Sequence, residues 1–294
     1  MFGKWRLFFL FLLMAAAIAA LAKGQEPPSA QRLPAPVTFF LQSPKMPPEG
    51  KEGPVACTIH FHRGRLSLGL KTGDRLLTAA GAYDWDVDQP SLEGDGKAAV
   101  FRSGRTDLAP PPVWRTILST LPRYELWFGL FDREHELRFV QDTGQSELNL
   151  AGVRLAGMEI DVKSGRLEAR FGENASVCRN FVFSQASGTS TLEGLGGLAA
   201  ANYVFNVDSG TLQAAFGILR EGAALDLALR VSSGTVTLRL PPGFALSARV
   251  SIRAGLVYLL GQKCAPGDYE ISVGTGERRA SLRLEVNSGL VRLL

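Results

Sequence analysis

The stretch from Leu225 to Leu240 alternates apolar and polar residues on both sides of one glycine, Gly234. The apolar positions around this glycine are Leu229, Val231, Val236, Leu238 and Leu240. A period of two matches the pleat of a strand with one buried face, and glycine accepts the positive φ of a tight bend. The stretch therefore predicts two strands that meet at a corner, with their apolar side chains facing a core.

The same frame recurs through most of the chain. Its glycines are spaced by 21, 23, 22, 24 and 21 residues, at positions Gly144, Gly165, Gly188, Gly210, Gly234 and Gly255, and similar frames surround Gly64 and Gly289. Such a period is typical of a β-solenoid, in which each turn of chain forms one rung and neighbouring rungs share a core. We predict an all-β fold, a single-domain β-solenoid of stacked rungs with glycine turns.

The rung interpretation leads to two expectations, one for the corner glycines and one for the core around Gly234. Gly165, Gly210 and Gly234 should adopt positive φ or another backbone conformation that alanine avoids, because each ends an alternating strand after a small or polar residue. The apolar residues on both sides of Gly234 should be buried against the preceding rung, since a single rung cannot bury its own apolar face.

The N-terminal segment has the features of an export signal. Lys4 and Arg6 precede an apolar run from Leu7 to Ala22, which is short for a membrane span. Small residues at Ala20 and Ala22 suit signal-peptide cleavage, so residues 1–22 are expected to be removed. An uncleaved membrane anchor is the alternative. Either way the folded part would be exported, to the periplasm, the cell surface or the medium.

A Pro-rich linker is predicted between the signal peptide and the fold. Eight of the sixteen prolines lie within residues 24–54, which lack apolar periodicity, and proline stiffens such a segment into a spacer. The predicted divisions are a linker at 23–54 and a solenoid at 55–294, made of an N-terminal portion (55–112), a short helical connector (113–122) and glycine-centred repeats (123–294).

Charge and cysteine content exclude some functions. Without residues 1–22 the chain has 30 basic and 28 acidic residues, a balance that argues against a nucleic-acid partner. Three cysteines are few for an exported disulfide scaffold. Cys57 has the parity of a buried strand residue and should be a core thiol, whereas Cys178 and Cys264 could be free or joined.

Two short stripes are the weak candidates for a ligand-binding site. His60 and His62 lie on one face of a predicted strand, and Asp84, Asp86 and Asp88 form a carboxylate stripe on another. Together they could bind a metal ion, but alternation alone also produces solvated stripes of this kind. No nucleophile triad, phosphate loop or zinc spacing is present in the sequence, so we predict no metal, no cofactor and no catalytic residue. The aspartate stripe is the only feature that suits a carbohydrate-active enzyme.

Two further features depart from the apolar pattern. Gln141 with Ser146, and Gln185 with Ser190, replace apolar residues beside two of the corner glycines. They line a polar groove for an extended ligand, lie outside the core, or pair their amides and hydroxyls with backbone groups. His135 lies in a charged run, which predicts a loop.

The segment Glu136 to Phe171, E-L-R-F-V-Q-D-T-G-Q-S-E-L-N-L-A-G-V-R-L-A-G-M-E-I-D-V-K-S-G-R-L-E-A-R-F, resembles the toast-rack proteins of bacterial envelopes. These are related to LiaF-type C-terminal domains and to solenoids named putative adhesins. V-A-C-T-I-H-F-H-R-G-R-L-S-L-G-L with the later A-Y-D-W-D is similar to the N-terminal portion of that family, so the resemblance covers 55–294. Each turn here keeps one glycine where the family often shows Gly-Ala-Gly. The resemblance implies a non-catalytic envelope protein and supplies no catalytic residues.

Taken together, the sequence predicts an exported, non-catalytic binding, adhesive or scaffolding module of the bacterial cell envelope. The alternatives are an extracytoplasmic carbohydrate-active enzyme and a regulatory partner of a membrane stress sensor. The final rung, around Gly289, is apolar to its end, so either the insert 261–279 covers it or it binds an envelope protein or a second copy. Membrane contact is expected only if the N-terminal segment stays uncleaved.

Overall fold

The computed structural model describes residues 36–45, 53–83, 89–95, 97–104, 122–129, 133–172, 178–219, 225–241, 243–276 and 278–294. The predicted signal peptide and nearly all of the predicted helical connector lie outside these ranges. Residues from Pro36 onward form one compact unit. Within the described ranges, no helix has the length and apolar character needed to cross a membrane.

Strands account for almost all of the regular structure. They are β1 (Val37–Gln42), β2 (Val55–Phe61), β3 (Arg65–Lys71), β4 (Leu77–Tyr83), β5 (Ser91–Gly94), β6 (Ala98–Arg102), β7 (Arg123–Gly129), β8 (His135–Gln141), β9 (Gln145–Leu150), β10 (Leu155–Val162), β11 (Arg166–Phe171), β12 (Asn180–Gln185), β13 (Thr189–Glu193), β14 (Asn202–Val207), β15 (Thr211–Ala215), β16 (Leu225–Val231), β17 (Thr235–Arg239), β18 (Phe244–Ile252), β19 (Leu256–Leu259), β20 (Gln262–Cys264), β21 (Gly267–Val273), β22 (Arg278–Val286) and β23 (Leu290–Leu293). One short 3-10 helix, Leu195–Leu198, lies between β13 and β14.

The strands form two long sheets that share one core. Sheet 1 has the order β1-β4-β7-β3-β9-β11-β13-β15-β17-β23-β19-β20, and sheet 2 has the order β21-β18-β22-β16-β14-β12-β10-β8-β2-β6-β5. Each rung contributes one strand to sheet 2, turns at its glycine and contributes the next strand to sheet 1. Rungs stack with parallel pairing, which confirms the predicted all-β fold of stacked rungs in a single domain.

Burial follows the predicted alternation along each strand. Leu229 pairs with Phe205 and Leu238 with Ala214 of the preceding rung. The side chains of Leu229, Val231, Val236 and Leu238 are almost fully buried. The inward residues of both sheets form one continuous apolar cluster. The expectation for this core is therefore confirmed.

Successive corner glycines approach each other too closely for a side chain. A Cβ on Gly210 would lie 2.8 Å from the backbone nitrogen of Gly188 and still closer to its carbonyl oxygen. The backbone of Gly210 also has a φ of 88° and that of Gly165 has a φ of 96°, which L-residues rarely adopt. The positive φ expected at these two positions is confirmed.

Gly234 differs from the other corners. It is not among the residues with positive φ, so the positive φ of the other two corners is absent at this position. A Cβ here would still lie 2.9 Å from Cγ1 of Val207 and 3.0 Å from the carbonyl oxygen of Gly210. Close approach, rather than backbone conformation, accounts for glycine at this corner.

The serines that precede the corner glycines link each rung to its neighbour. The hydroxyl of Ser164 donates to the carbonyl of Asp142 at 2.9 Å, and that of Ser187 donates to the carbonyl of Lys163 at 2.9 Å. Ser209, Ser233 and Ser288 make the equivalent bonds to the preceding rungs at 2.9 to 3.2 Å. The Ser-Gly pair therefore satisfies a turn carbonyl while the glycine permits the contact.

The last rung in the sequence is not the last rung in the stack. Strand β22 pairs in parallel with β16 on one side and β18 on the other, and β23 lies between β17 and β19. The Gly289 rung is thus inserted between the rungs of Gly234 and Gly255. The expectation that it ends the stack is wrong, because rungs of one shape can stack in an order that differs from the sequence.

Antiparallel strands close both ends of the stack. The insert forms β20 and β21, which pair antiparallel with β19 and β18 and so cover the Gly255 rung. At the other end β4 and β5 pair antiparallel with β7 and β6, and β1 follows β4. Strand β1 lies inside the predicted linker, so that prediction is wrong for Val37–Gln42. This strand pairs with β4, and its residues Phe39 and Leu41 pack against the core.

Two glycine variants separate the effects of close approach and of positive φ. Gly217 has a φ of 68°, but a Cβ there would meet only Cα of Gly194, at an ordinary contact distance of 3.9 Å. Gly217→Ala should therefore cost only the backbone strain of about 1–3 kcal/mol. Gly210→Ala adds a clash with the Gly188 backbone and should lower the free energy of unfolding further. Urea titrations of both variants measure the difference. Equal losses would contradict the role of close approach.

Candidate functional site

His60 lies on the outer face of β2 and His62 follows directly after this strand, and the two histidines have different surroundings. His62 Nδ1 lies 2.9 Å from Asp142 Oδ2, and Lys163 Nζ lies 2.6 Å from Asp142 Oδ1. His60 lies between Arg102 of β6 and Val140 of β8. Burial, with the cations Arg102 and Arg138, lowers the pKa of His60.

Asp142 is the centre of a small exposed ion cluster. Partial burial acts to raise the pKa of its carboxyl, but the hydrogen bonds from His62 and Lys163 outweigh this, and the pKa lies below its ordinary value. The cluster links three successive rungs at the point where β2, β8 and β10 enter their corners. Its groups already satisfy each other, which is the arrangement of a surface ion network rather than of a catalytic acid.

The predicted ligand site combines these histidines with an aspartate stripe. Asp84, Asp86 and Asp88 lie outside the described residues. In the part of the chain that the structure describes, no three His, Cys, Asp or Glu side chains are grouped as a metal site. The hypothesis of a His and Asp ligand site stays a prediction.

The glutamine and serine pairs line the inside of two corners, not a groove. Gln141 is fully buried, and its Nε2 donates to the carbonyls of Ser164 at 2.9 Å, Gly144 at 3.3 Å and Arg166 at 3.4 Å. Ser146 donates its hydroxyl to Gln141 Oε1 at 2.7 Å. The amide therefore fills the interior of the corner and binds backbone carbonyls of the next rung.

The side-chain amide nitrogen of Gln185 repeats these contacts two rungs along the stack. This Nε2 donates to the carbonyls of Gly188 at 3.1 Å and Ser209 at 3.2 Å. Both Gln185 and Ser190 are buried. The groove interpretation is wrong for these positions. Pairing with backbone groups is confirmed for the two glutamine amides, whereas Ser190 Oγ and Gln185 Oε1 have no hydrogen-bond partner among the described residues.

His135 begins strand β8 instead of lying in a loop. Its side chain is buried and its ring centroid lies 5.9 Å from that of Phe128. Among the described residues, Nδ1 has no hydrogen-bond partner. Burial lowers the pKa of His135 to about 4, so the ring is neutral at physiological pH.

The three cysteines are buried and free. The prediction of a core thiol at Cys57 is confirmed, and no bridge joins Cys178 to Cys264. Burial raises the pKa of Cys57 strongly and that of Cys178 to about 11. Both thiols are therefore protonated and unreactive at neutral pH.

An open groove follows the outer face of sheet 2 along the stack. Its volume is about 580 Å³. We define the groove by five outward residues on neighbouring strands, in stacking order Asn180, Asn202, Asp226, Ser281 and Ser247. At the spacing of paired strands, the row is about 19 Å long. Val204 and Ala228 lie beside the row, and their small side chains leave the groove open on that side.

Hydrogen bonds connect the groove side chains along the row. Asn202 Nδ2 donates to Asn180 Oδ1 at 3.2 Å, and Ser281 Oγ donates to Asp226 Oδ1 at 2.5 Å. These bonds fix the side chains but leave amide, hydroxyl and carboxylate groups facing solvent. The groove therefore presents short polar side chains at each strand.

Charged side chains border the groove at both ends. Near Asn180, the side chain of Arg179 reaches past Gly157 to Glu136, with which it forms an ion pair. At the other end Arg249 pairs with Glu270 at 2.8 Å. Arg283 lies beside Arg249 on the adjacent strand.

The sequence contains a signal for this groove that the alternation of apolar and polar residues does not show. Each of the five residues lies eight positions before its corner glycine. Because the strands of successive rungs are in register, residues at one offset from the glycine share a row. When the rungs are aligned by their corner glycines, the run of Asn, Asp and Ser at this position is visible in the sequence.

Comparisons with known proteins give a distant structural likeness. No family model matches the chain, so the toast-rack resemblance stays a prediction, and no curated protein matches it. A "putative cell adhesion protein" from Clostridium sporogenes is 11% identical, with 88% of this chain and 98% of that chain covered and a TM-score of 0.39. A "putative adhesin" from Bacteroides fragilis is 8% identical, with coverage of 88% and 97% and a TM-score of 0.39. A "putative lipid binding protein" from Parabacteroides distasonis is 10% identical, with coverage of 88% and 96% and a TM-score of 0.31. Because these values are low, we assign no function from them.

The burial of His135 predicts a pH-dependent stability. The pKa is about 4 in the folded chain against an ordinary 6.5, so between these values the unfolded chain binds more protons and stability falls as the pH falls. His135→Leu should remove this part of the pH dependence, whereas His62→Gln, at an exposed position, should retain it. Urea titrations from pH 7 to pH 4 measure the effect. If the free energy of unfolding of His135→Leu depended on pH as strongly as that of the parent chain, the prediction would be contradicted.

Proposed function

We propose that this protein is a non-catalytic, exported binding module of the bacterial cell envelope. Its groove binds an extended, hydroxyl-rich polymer, and a linear glycan is the ligand class that fits best. The observation that carries the proposal is the row of short polar side chains from Asn180 to Ser247, repeated on five neighbouring strands in an open depression.

The chemistry of the row suits sugar hydroxyls. Amides such as that of Asn202 both donate and accept hydrogen bonds, and the carboxylate of Asp226 accepts them. A linear polymer that lies along the stack would meet a similar group at every strand. Contacts that are weak one by one then add along the polymer.

The carboxyls near the groove favour binding over catalysis. A glycosidase needs two carboxyls across the scissile bond, one of them with a raised pKa in an apolar environment. Asp226 is exposed and accepts a hydrogen bond from Ser281, and Glu270 is exposed and ion-paired with Arg249. Neither has the surroundings of a general acid.

Export is supported by the sequence of the N-terminus. Basic residues precede an apolar run from Leu7 to Ala22, as in secretory signals. The polymers that the module would meet outside the cytoplasm are those of envelopes and surfaces, where linear glycans are abundant.

Two amide positions of one rung provide the test. Asn202 lies in the groove on β14, and Gln213 lies on the outer face of sheet 1 on β15. Both are exposed. Asn202→Leu should weaken binding roughly threefold to tenfold, as expected for the loss of a hydrogen bond, whereas Gln213→Leu should have no effect.

Affinity electrophoresis measures this in gels that contain one soluble linear polysaccharide each, a neutral glucan or an acidic galacturonan. We expect the polysaccharide to retard the parent chain and Gln213→Leu, whereas Asn202→Leu should migrate faster. Equal mobility of all three proteins in every gel would contradict the proposal.

A further inference from the structure

The two sheets have four edges among the described residues, and one of them differs from the other three. The edge strands are β1, β5, β20 and β21. Strand β5 has four residues and carries Glu93, β20 has three and carries Lys263, and β21 carries Asp268 and Glu270. Short length and charge are the usual protections of a sheet edge against pairing with another chain.

Strand β1 lacks these protections. Its six residues, V-T-F-F-L-Q, include no charge and no proline. Phe40 is 59% exposed and Val37 is 37% exposed. A six-residue strand with two aromatic and two β-branched residues on an open edge is the type that pairs with another strand.

The direction of its backbone groups shows how β1 could pair. Ser43 N–H donates to the carbonyl of Leu77 on β4, and in an antiparallel pair the residues alternate in the side to which their backbone groups point. The odd residues of β1 therefore point to β4. The even residues Thr38, Phe40 and Gln42 direct their N–H and C=O groups to the open edge.

We propose that β1 pairs antiparallel with β1 of a second copy of this chain, across a two-fold axis at Phe40. Hydrogen-bonded pairing requires even residues to face even residues. With Phe40 opposite Phe40 of the second copy, Thr38 faces Gln42. The sheets of the two copies join into one continuous sheet 1.

Side-chain complementarity favours a second copy as the partner. On the outer face this register places the exposed Phe40 rings next to each other, a favourable aromatic pair. On the inner face it places Phe39 opposite Leu41, and both are partly buried against the core. No like charges meet, because β1 has none.

The contrast between the edges also favours a closed dimer over a filament. A filament would need β1 to pair with a different edge, and the other three carry charged residues. Pairing of like edges across a two-fold axis closes after two copies.

Sedimentation of the full chain over a wide concentration range tests the association. The parent chain should show a monomer–dimer equilibrium. Phe40→Lys, which removes the aromatic pair and places two cations face to face, should weaken it roughly tenfold or more. Leu256→Lys is the matched control, because Leu256 is 47% exposed at the opposite end of sheet 1, and it should associate as the parent does.

Cysteine crosslinking tests the register. Opposite residues in a hydrogen-bonded antiparallel pair have Cα atoms about 5.5 Å apart, within disulfide range, and the three native thiols are buried. Phe40→Cys should form an interchain disulfide under mild oxidation. Thr38→Cys should crosslink when mixed with Gln42→Cys but not with itself, and Leu256→Cys should not crosslink.

Two results would overturn the proposal. The first is a monomer at all concentrations together with no crosslink of Phe40→Cys. The second is a dimer that Phe40→Lys leaves intact, which would place the interface elsewhere. Melting temperatures of the variants near that of the parent show that the fold is retained.

Discussion

The close contact between successive corner glycines is the constraint on which the rest of the structure depends. At each corner the backbone carbonyl of one glycine accepts a hydrogen bond from the residue that follows the corner glycine of the next rung. An example is the 2.9 Å bond from Thr211 N–H to the carbonyl of Gly188. A side chain at the glycine would separate the two backbones. Because the corners stack without an offset, both sheets keep their parallel register from rung to rung.

Because of this register, equivalent residues of successive rungs lie in one row on the surface. Every residue eight positions before a corner glycine lies in one line, and the groove arises where that line carries Asn, Asp and Ser. The buried corner amides, such as Gln141, reinforce the same stacking from inside. A binding surface built in this way has a regular repeat along the stack, which suits a polymer better than a compact ligand.

The sequence predicted the features that depend on local pattern. Alternation identified the strands and the buried residues around Gly234, and it identified Cys57 as a core thiol. Pattern alone did not give the rung order, because the rungs of Gly234, Gly255 and Gly289 have equivalent faces and only non-local pairing distinguishes them. It also missed β1, since proline-rich flanks hid a strand whose partners lie far along the chain. Of the groove, only the outward orientation of its residues could be read from alternation.

The position of the last rung tests the account most directly, because Ser281 joins the groove only if this rung lies between those of Gly234 and Gly255. Thr237 is paired with Arg292, and Arg292 with Tyr258. Double-cysteine variants of the pairs 237–292 and 258–292 should form disulfides, since the paired strands are about 4.8 Å apart. The pair 237–258, two strands apart, should not. A disulfide between 237 and 258, with none at 237–292, would contradict the rung order and with it the groove.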